Sequence, residues 1–337
     1  MMFALFSSLI LSRRVFSIQS ATIMASSTND PTNNSKMMES SEEPSSNGIR
    51  LAVTGDFMIG RGIDAIMPNH VDGVLYESFM KHANHYVDIA EKVNGPLPRK
   101  EIRDKGYAYI WGDLLEELKT NPPDCFIVNL ETALTTNEQP YSKSINYRCH
   151  PANVECLTVA GVHVATLGNN HVLDWNAEGL IESIATLDRV GVQFAGAGRN
   201  NTEARMPAEY MCTKSNVCVR IAAVGFPSAG VPLDWIAGSH SAGVHVYESA
   251  TIAVARRVAE SLITGYREED AAKKECIKVA SLHWGPNWGW GTPIEHRSFA
   301  YALIDAGVDI VIGHSSHHVK GIVVYKGRLI AYSLGDF

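Results

Sequence analysis

Several features are missing from this sequence. It has no C-x-x-C pair, no stripe of Lys and Arg, no internal repeat, and no apolar run near the roughly 20 residues a membrane helix needs. The six cysteines (Cys125, Cys149, Cys156, Cys212, Cys218, Cys276) stand apart from one another, which excludes a zinc ribbon or a dithiol redox motif. With 337 residues, the chain is also too long for a disulfide framework to stand in for a core. The net charge of −7 argues against a nucleic-acid binder, because contacts to phosphate need clustered basic residues.

There is ample apolar material: 45% of the residues are hydrophobic and 19% charged, enough for one large domain or two ordinary ones. The first 48 residues do not read as part of a fold. They begin with an apolar stretch of about nine residues, followed rather than preceded by Arg13 and Arg14, and carry no acidic residue before Asp30. This pattern fits an organelle transit peptide ahead of a secretory signal or an untargeted extension starting at Met24. The Ser-, Asn- and Glu-rich residues 25–48 read as a disordered linker. The folded domain is expected to span 49–337.

From residue 50 onward, short apolar runs alternate with helical patterns. Strands are predicted at 49–56, 124–131, 162–171, 217–226, 276–284, 308–314, 321–325 and 328–336. Helices are predicted at 109–119, 152–160, 176–190, 246–263 and 296–306, the last entered through Pro293. Residues 62–106 read as an insertion, partly helical around 75–93. Alternation of this kind implies an α/β domain with buried sheets.

The strand ends carry the chemical signal. In "DIVIGHSSHH" (309–318) a dry strand gives way to His314, His317 and His318. Other buried runs stop at Gly55-Asp56, Asn129-Leu130-Glu131, Asn170-His171, His283 and Gly335-Asp336. Taken singly, an Asp there caps a turn, an Asn fills a positive-φ position and a His is a bonded core residue. Taken together, so many half-buried ionisable groups are costly unless they share a cation. In open sheets, ligands collect at the carboxyl ends of the strands, and mixed oxygen and imidazole donors suit one or two divalent ions such as Mn, Fe or Zn.

The ordered series "GDFMIGRG", "VNLET", "LGNNHVLDW", "LHWG" and "GHSSHHVKGIVVYKGRLIAYSLGDF" resembles the CapA-type poly-γ-glutamate capsule synthesis family, which is related to calcineurin-like metallophosphoesterases. "IWGD", "INYRCHP", "AGAGRN" and "HWGPNWGW" also fit, so the likeness runs over roughly residues 50–337. The resemblance implies a four-layer α/β/β/α sandwich with the site where two facing sheets end. It implies Asp56 on a first metal, Glu131 bridging, Asn170 and His283 on a second metal, and His314 and His317 completing the two. His171 would be the acid or electrophile beside them. Three departures stand out. Met58 replaces the histidine of the phosphoesterase D-x-H motif, the closing motif is G-H-x-x-H-H, and the sequence stops at Phe337, where relatives are expected to continue.

A metallophosphoesterase-like hydrolase acting on a phosphoester through metal-activated water is the expected function. A non-catalytic accessory role in poly-γ-glutamate synthesis or export, or metal-dependent hydrolysis of a γ-glutamyl amide, stand as alternatives. Asp174 either orients His171 or caps the helix that follows. Arg61, Arg148 and Arg297 are candidate grips for an anionic small-molecule or polyglutamate-like substrate. Trp284, Trp288 and Trp290, set among glycines, form a loop that either walls a cleft or packs on the sheet.

Overall fold

The computed structural model describes residues 49–264 and 276–337. The expected N-terminal extension, 1–48, lies outside the described residues. Among the described residues no helix is long and apolar enough to cross a membrane.

Two sheets organise the chain. The first is wholly parallel, in the order β1 (Leu51–Phe57), β2 (Cys125–Leu130), β3 (Val164–Thr166) and β4 (Gln193–Ala195). The second contains β5 (Ala208–Cys212), β6 (Val217–Gly225), β7 (Cys276–His283), β8 (Ile310–His314), β9 (Ile322–Tyr325) and β10 (Arg328–Ala331). Its order is β9-β10-β8-β7-β6-β5, with the four central strands parallel and an antiparallel strand at each edge. The fold is mixed α/β, as the alternation of patterns requires.

Side-chain alternation decides which face each sheet buries. Cys125 and Ile127 of β2 meet Val219, Ile221, Val279 and Ile312 of the second sheet in an apolar cluster between the sheets. The opposite parity, Phe126 and Val128, packs with Leu180, Ile184 and Leu187. These three lie on one face of the helix α3 (Asn176–Val190), which ends on Gly191 in the left-handed conformation, φ 74°. On the far side, Ala280 and Leu282 pack with Val258 and Leu262 and with Phe299 and Leu303. Those residues belong to α4 (Ile252–Thr264) and α5 (Ile294–Asp305). The three clusters run helix to sheet, sheet to sheet and sheet to helix.

Several predicted elements come out shorter. The strand expected at 162–171 spans only Val164–Thr166, and the one expected at 328–336 ends at Ala331. The helix expected at 109–119 is a 3-10 turn, Gly106–Trp111, followed by Leu114–Thr120. The helix expected at 152–160 likewise opens as a 3-10 turn, Pro151–Val154. In the insertion, α1 (Arg61–Ile66) and α2 (Ala83–Asn94) form, with a further helix at Arg99–Lys105. Strands β4 and β5 were not expected; at three and five residues, they show too little alternation to register.

The sheets converge at their carboxyl ends. β1 changes register against β2 just before Asp56, and the Asp56 amide donates to Gly335 O at 2.8 Å. The Phe337 amide donates back to Asp56 O, so the segment after β10 runs beside the end of β1. This approach requires glycine: a Cβ on Gly55 would stand 1.8 Å from Gly335 O.

Candidate metal centre

Asp56 lies at the end of β1, and Glu131 follows β2 directly. Asn170 and His171 sit in the turn after β3. From the other sheet, His283 is the last residue of β7 and His314 the last of β8. Distant chain segments thus deliver polar groups to one edge because their strands run parallel.

Asp56, Glu131 and His283 each place one ligand atom within 4.8 Å of the other two, and all three are buried. Asp56, His317 and Asp336 form a second such group. Asp56 belongs to both groups; Glu131, which the resemblance implies as the bridging ligand, belongs to the first. Asp56 sits where the end of β1 meets the segment after β10, and Glu131 lies beside Asp56, His283 and His171. Asp336, the strand-end group of Gly335-Asp336, places Oδ1 2.7 Å from His317 Nδ1.

Asn170 Oδ1 is 3.1 Å from His283 Nε2, beside the first group. His314 is turned differently. Its Nε2 pairs with Ser281 Oγ at 3.0 Å, while Nδ1 lies 3.5 Å from Asp56 Oδ1. Ser281 Oγ donates to Thr166 Oγ1, which donates to Asn129 Oδ1 at 3.1 Å, and Asn129 Nδ2 donates to Asp56 Oδ1 at 2.7 Å. This buried chain ties the two sheets together under the cluster and fixes the Asp56 carboxylate from below. His318 Nδ1 lies 3.2 Å from the carbonyl of Val319.

The electrostatics of the cluster are unbalanced. Burial opposes the charge on Asp56, but His314, His283 and Asn129 more than offset it and hold the carboxyl at about 2. Burial, and then the Asp56 and Asp336 carboxylates, push Glu131 well above the carboxylate range. Its Oε1 lies 3.7 Å from His283 Nε2 and 4.0 Å from His171 Nε2, too far for hydrogen bonds. Burial holds His283 down at about 3. Two buried carboxylates and an imidazole whose ligand atoms lie within reach of one another are a donor set that a divalent cation satisfies.

His171 is held on its other side. Its Nδ1 lies 2.6 Å from Asp174 Oδ2, which also accepts from the Tyr147 amide at 2.6 Å. The Tyr147 ring stacks on the imidazole at 3.9 Å. Lys143, which the sequence did not single out, reaches Asp174 Oδ1 at 2.5 Å. Asp174 does not cap α3: the capping position is Trp175, with no side-chain cap bond.

The proposed substrate grips separate. Arg61, backbone φ 53°, is buried between the rings of Tyr86 and Tyr147, and its Nε donates to Glu77 Oε1 at 2.7 Å. Arg148 is bonded to Asp72 and to Asn137 O and lies over Trp175. Arg297 is exposed on α5 near the Tyr332 phenol, away from the cluster. The tryptophan loop also divides. Trp284 is core, donating to Tyr332 O and stacking on His296, while the half-exposed Trp288 ring stands 5.5 Å from His317. Met58 is taken up by the turn after β1, where its Sδ accepts from the Gly60 amide.

Two sheets ending on a shared carboxylate–histidine cluster define an α/β protein with a candidate two-ion centre. The chain belongs to the family described as bacterial capsule synthesis protein PGA_cap, which matches residues 50–337. It is 38% identical over 290 residues to a "Probable polyglutamine synthesis accessory protein" of Mycobacterium tuberculosis, covering 86% of this chain and 73% of that one. It is 24% identical over 289 residues to the "Capsule biosynthesis protein CapA" of Bacillus anthracis, covering 86% of this chain and 59% of that one. The solved structure of the Thermus thermophilus protein TT1561 covers 66% of this chain and 82% of that one, with a TM-score of 0.38 and 12% identity, too low to carry an argument.

Proposed function

We propose that this protein is a divalent-metal-dependent hydrolase that cleaves a phosphoester of an anionic substrate. The observation that carries the reading is the pairing of Asp56 and Glu131: two buried carboxylates that, with His283, lie within reach of one ion. Asp56, Glu131 and His283, with Asn170 beside them, would hold one ion; Asp56, His317 and Asp336 would hold another. His314 supports Asp56 from the side. When bound, such ions supply a nucleophilic water near neutral pH and stabilise charge on the phosphoryl oxygens.

The chain's own residues do the rest. His171 presents Nε2 toward the cluster and exchanges a proton with the leaving group, while Asp174 holds Nδ1. Burial keeps the imidazolium of His171 scarce and therefore strongly acidic once formed. Arg61, set in place by Glu77 and two tyrosines, offers the rest of its guanidinium to an anion. Trp288 forms one wall beside His317.

A non-catalytic role is favoured by one observation: the position where phosphoesterases carry their D-x-H histidine is Met58, folded into a turn. The name of the Mycobacterium tuberculosis relative, an accessory protein of polyglutamine synthesis, points the same way. The experiment is to purify the full chain, measure bound metal, and assay phosphodiester, phosphomonoester and γ-glutamyl substrates with and without chelator, alongside His171→Ala and His283→Ala. Chelator-sensitive phosphoester turnover, lost in both variants, is the expected result. Stoichiometric metal without turnover on any substrate would replace the hydrolase reading with the accessory one, and turnover of γ-glutamyl substrates alone would redirect it to amide hydrolysis.

A further inference from the structure

Lys143 occupies an unusual position for a lysine. Its side chain is only 19% exposed, and its ammonium lies 5.1 Å from the centre of the Trp235 ring. Its ammonium pairs with Asp174 Oδ1 at 2.5 Å, donates to the backbone carbonyl of Asn170, and lies 3.3 Å from His171 Nδ1. An ammonium has three protons to place, and burying most of its surface is costly unless they find acceptors. Here Asn170 O and Asp174 Oδ1 take it up on one short stretch, and His171 Nδ1, whose own proton is directed at Asp174, is a neighbour rather than an acceptor.

The loop carrying Lys143 is fastened to that stretch at several points. The Tyr141 amide donates to Asp174 O, Asn146 Nδ2 donates to Tyr141 O and Asp174 O, and the Tyr147 amide donates to Asp174 Oδ2. Trp175 Nε1 donates back to Tyr147 O. Asp174 is thus the knot between two loops. Its two carboxylate oxygens are divided: Oδ2 serves His171 and the Tyr147 amide, and Oδ1 serves Lys143. Without Lys143, Oδ1 would be left buried and bare, and the carboxylate would be free to rotate or to take up a proton.

We propose that Lys143 is a positioning residue: by holding Asp174 Oδ1 and the Asn170 carbonyl together, it fixes the His171 ring with Nδ1–H on Asp174 and Nε2 toward the carboxylate cluster. The same ammonium couples the histidine to the turn that presents the Asn170 side chain to His283. Lys143 does not touch the reacting atoms; it acts through Asp174. The proposal draws on the hydrolytic reading only for its effect on turnover; its effect on the ring is independent of any activity.

The test uses the full chain with ¹⁵N-labelled histidine, as wild type, Lys143→Met and Lys143→Arg. The ring resonances of His171 are assigned by their loss in His171→Ala, and thermal melts confirm that each variant folds. Wild type should show a downfield Nδ1–H proton shielded from exchange. Lys143→Met should lose it or bring it into fast exchange while keeping a cooperative melt, and Lys143→Arg should retain it. If Lys143→Met folds and keeps the wild-type signal, the proposal is wrong. If Lys143→Met does not fold, Lys143→Arg decides alone: it must keep the signal for the proposal to stand. Where turnover exists, Lys143→Met should lower kcat about 100-fold, with recovery in Lys143→Arg and on adding methylammonium, at unchanged metal content. An unchanged kcat would likewise overturn the positioning role. Absence of turnover in wild type removes the hydrolase reading and leaves the ring signal to judge Lys143.

Discussion

Glu131 Oε1 lies 3.7 Å from His283 Nε2, at the point where the end of the first sheet faces the end of the second. That gap is too long for a hydrogen bond, yet it is the spacing of two ligands on one ion, since donors each roughly 2 Å from a tetrahedral centre stand roughly 3–4 Å apart.

A divalent ion should therefore stabilise the fold. Saturating Mn²⁺ or Zn²⁺ at about 100 times its dissociation constant should add about 2.7 kcal/mol, and chelator should remove it. Because Asp56 belongs to both ligand groups, Asp56→Asn should abolish the shift, whereas Glu131→Gln should spare one ion. Differential scanning fluorimetry with metal analysis checks this. A melting temperature indifferent to metal and chelator would remove the centre.

The histidine pair should be separable from metal binding. Asp174→Asn keeps the shape of the side chain but replaces the acceptor facing His171 Nδ1 and weakens the ion pair with Lys143. We expect turnover to fall about 100-fold or more with bound metal unchanged. Steady-state kinetics and metal content, measured on the same preparation, test it. Loss of metal in proportion to activity would assign Asp174 to scaffolding of the centre instead.

Acid should weaken the fold through His245. Burial, aided by Arg205, holds this imidazole at about 4 against an ordinary 6.5. Above the ordinary value neither the folded nor the unfolded chain carries the proton, so the ring contributes no pH dependence. As pH falls toward 4 the unfolded chain takes up the proton and the folded chain does not. Stability then drops by up to about 1.4 kcal/mol per pH unit from this group. Urea titrations of metal-free protein between neutral pH and pH 5 should show a steeper decline for wild type than for His245→Gln. Parallel curves would contradict it.

The approach of β1 to the segment after β10 should tolerate no side chain. Gly55→Ala places a Cβ 1.8 Å from Gly335 O, where backbone must move. Overpacking of this kind costs about 1–3 kcal/mol, and the movement separates Asp56 from Asp336. We expect a lower melting temperature together with weaker metal binding. A variant with wild-type values of both would show that the contact does not position the centre.

Local order in the chain was enough to mark where the site would be built. Each buried apolar run that stopped at Asp56, Glu131, His283 or His314 announced a strand end, because a parallel strand is buried on both faces and its polarity changes only where it leaves the sheet. Helix α3 was legible to the residue, from its apolar spacing and Gly191. Which strand ends would face one another was a different matter. Asp56 is brought to Ser315 and Gly335, and Asn170 to His283, across separations of more than 100 residues. Only the packing of sheet against sheet fixes such neighbours. The same packing put Asp56 in both candidate groups, bound Arg148 to Asp72, left Arg297 on the surface, and brought Lys143 to Asp174. A lysine between two serines in a loop carries no signal of its own; it gains a role when folding removes it from water and leaves a buried carboxylate as its partner.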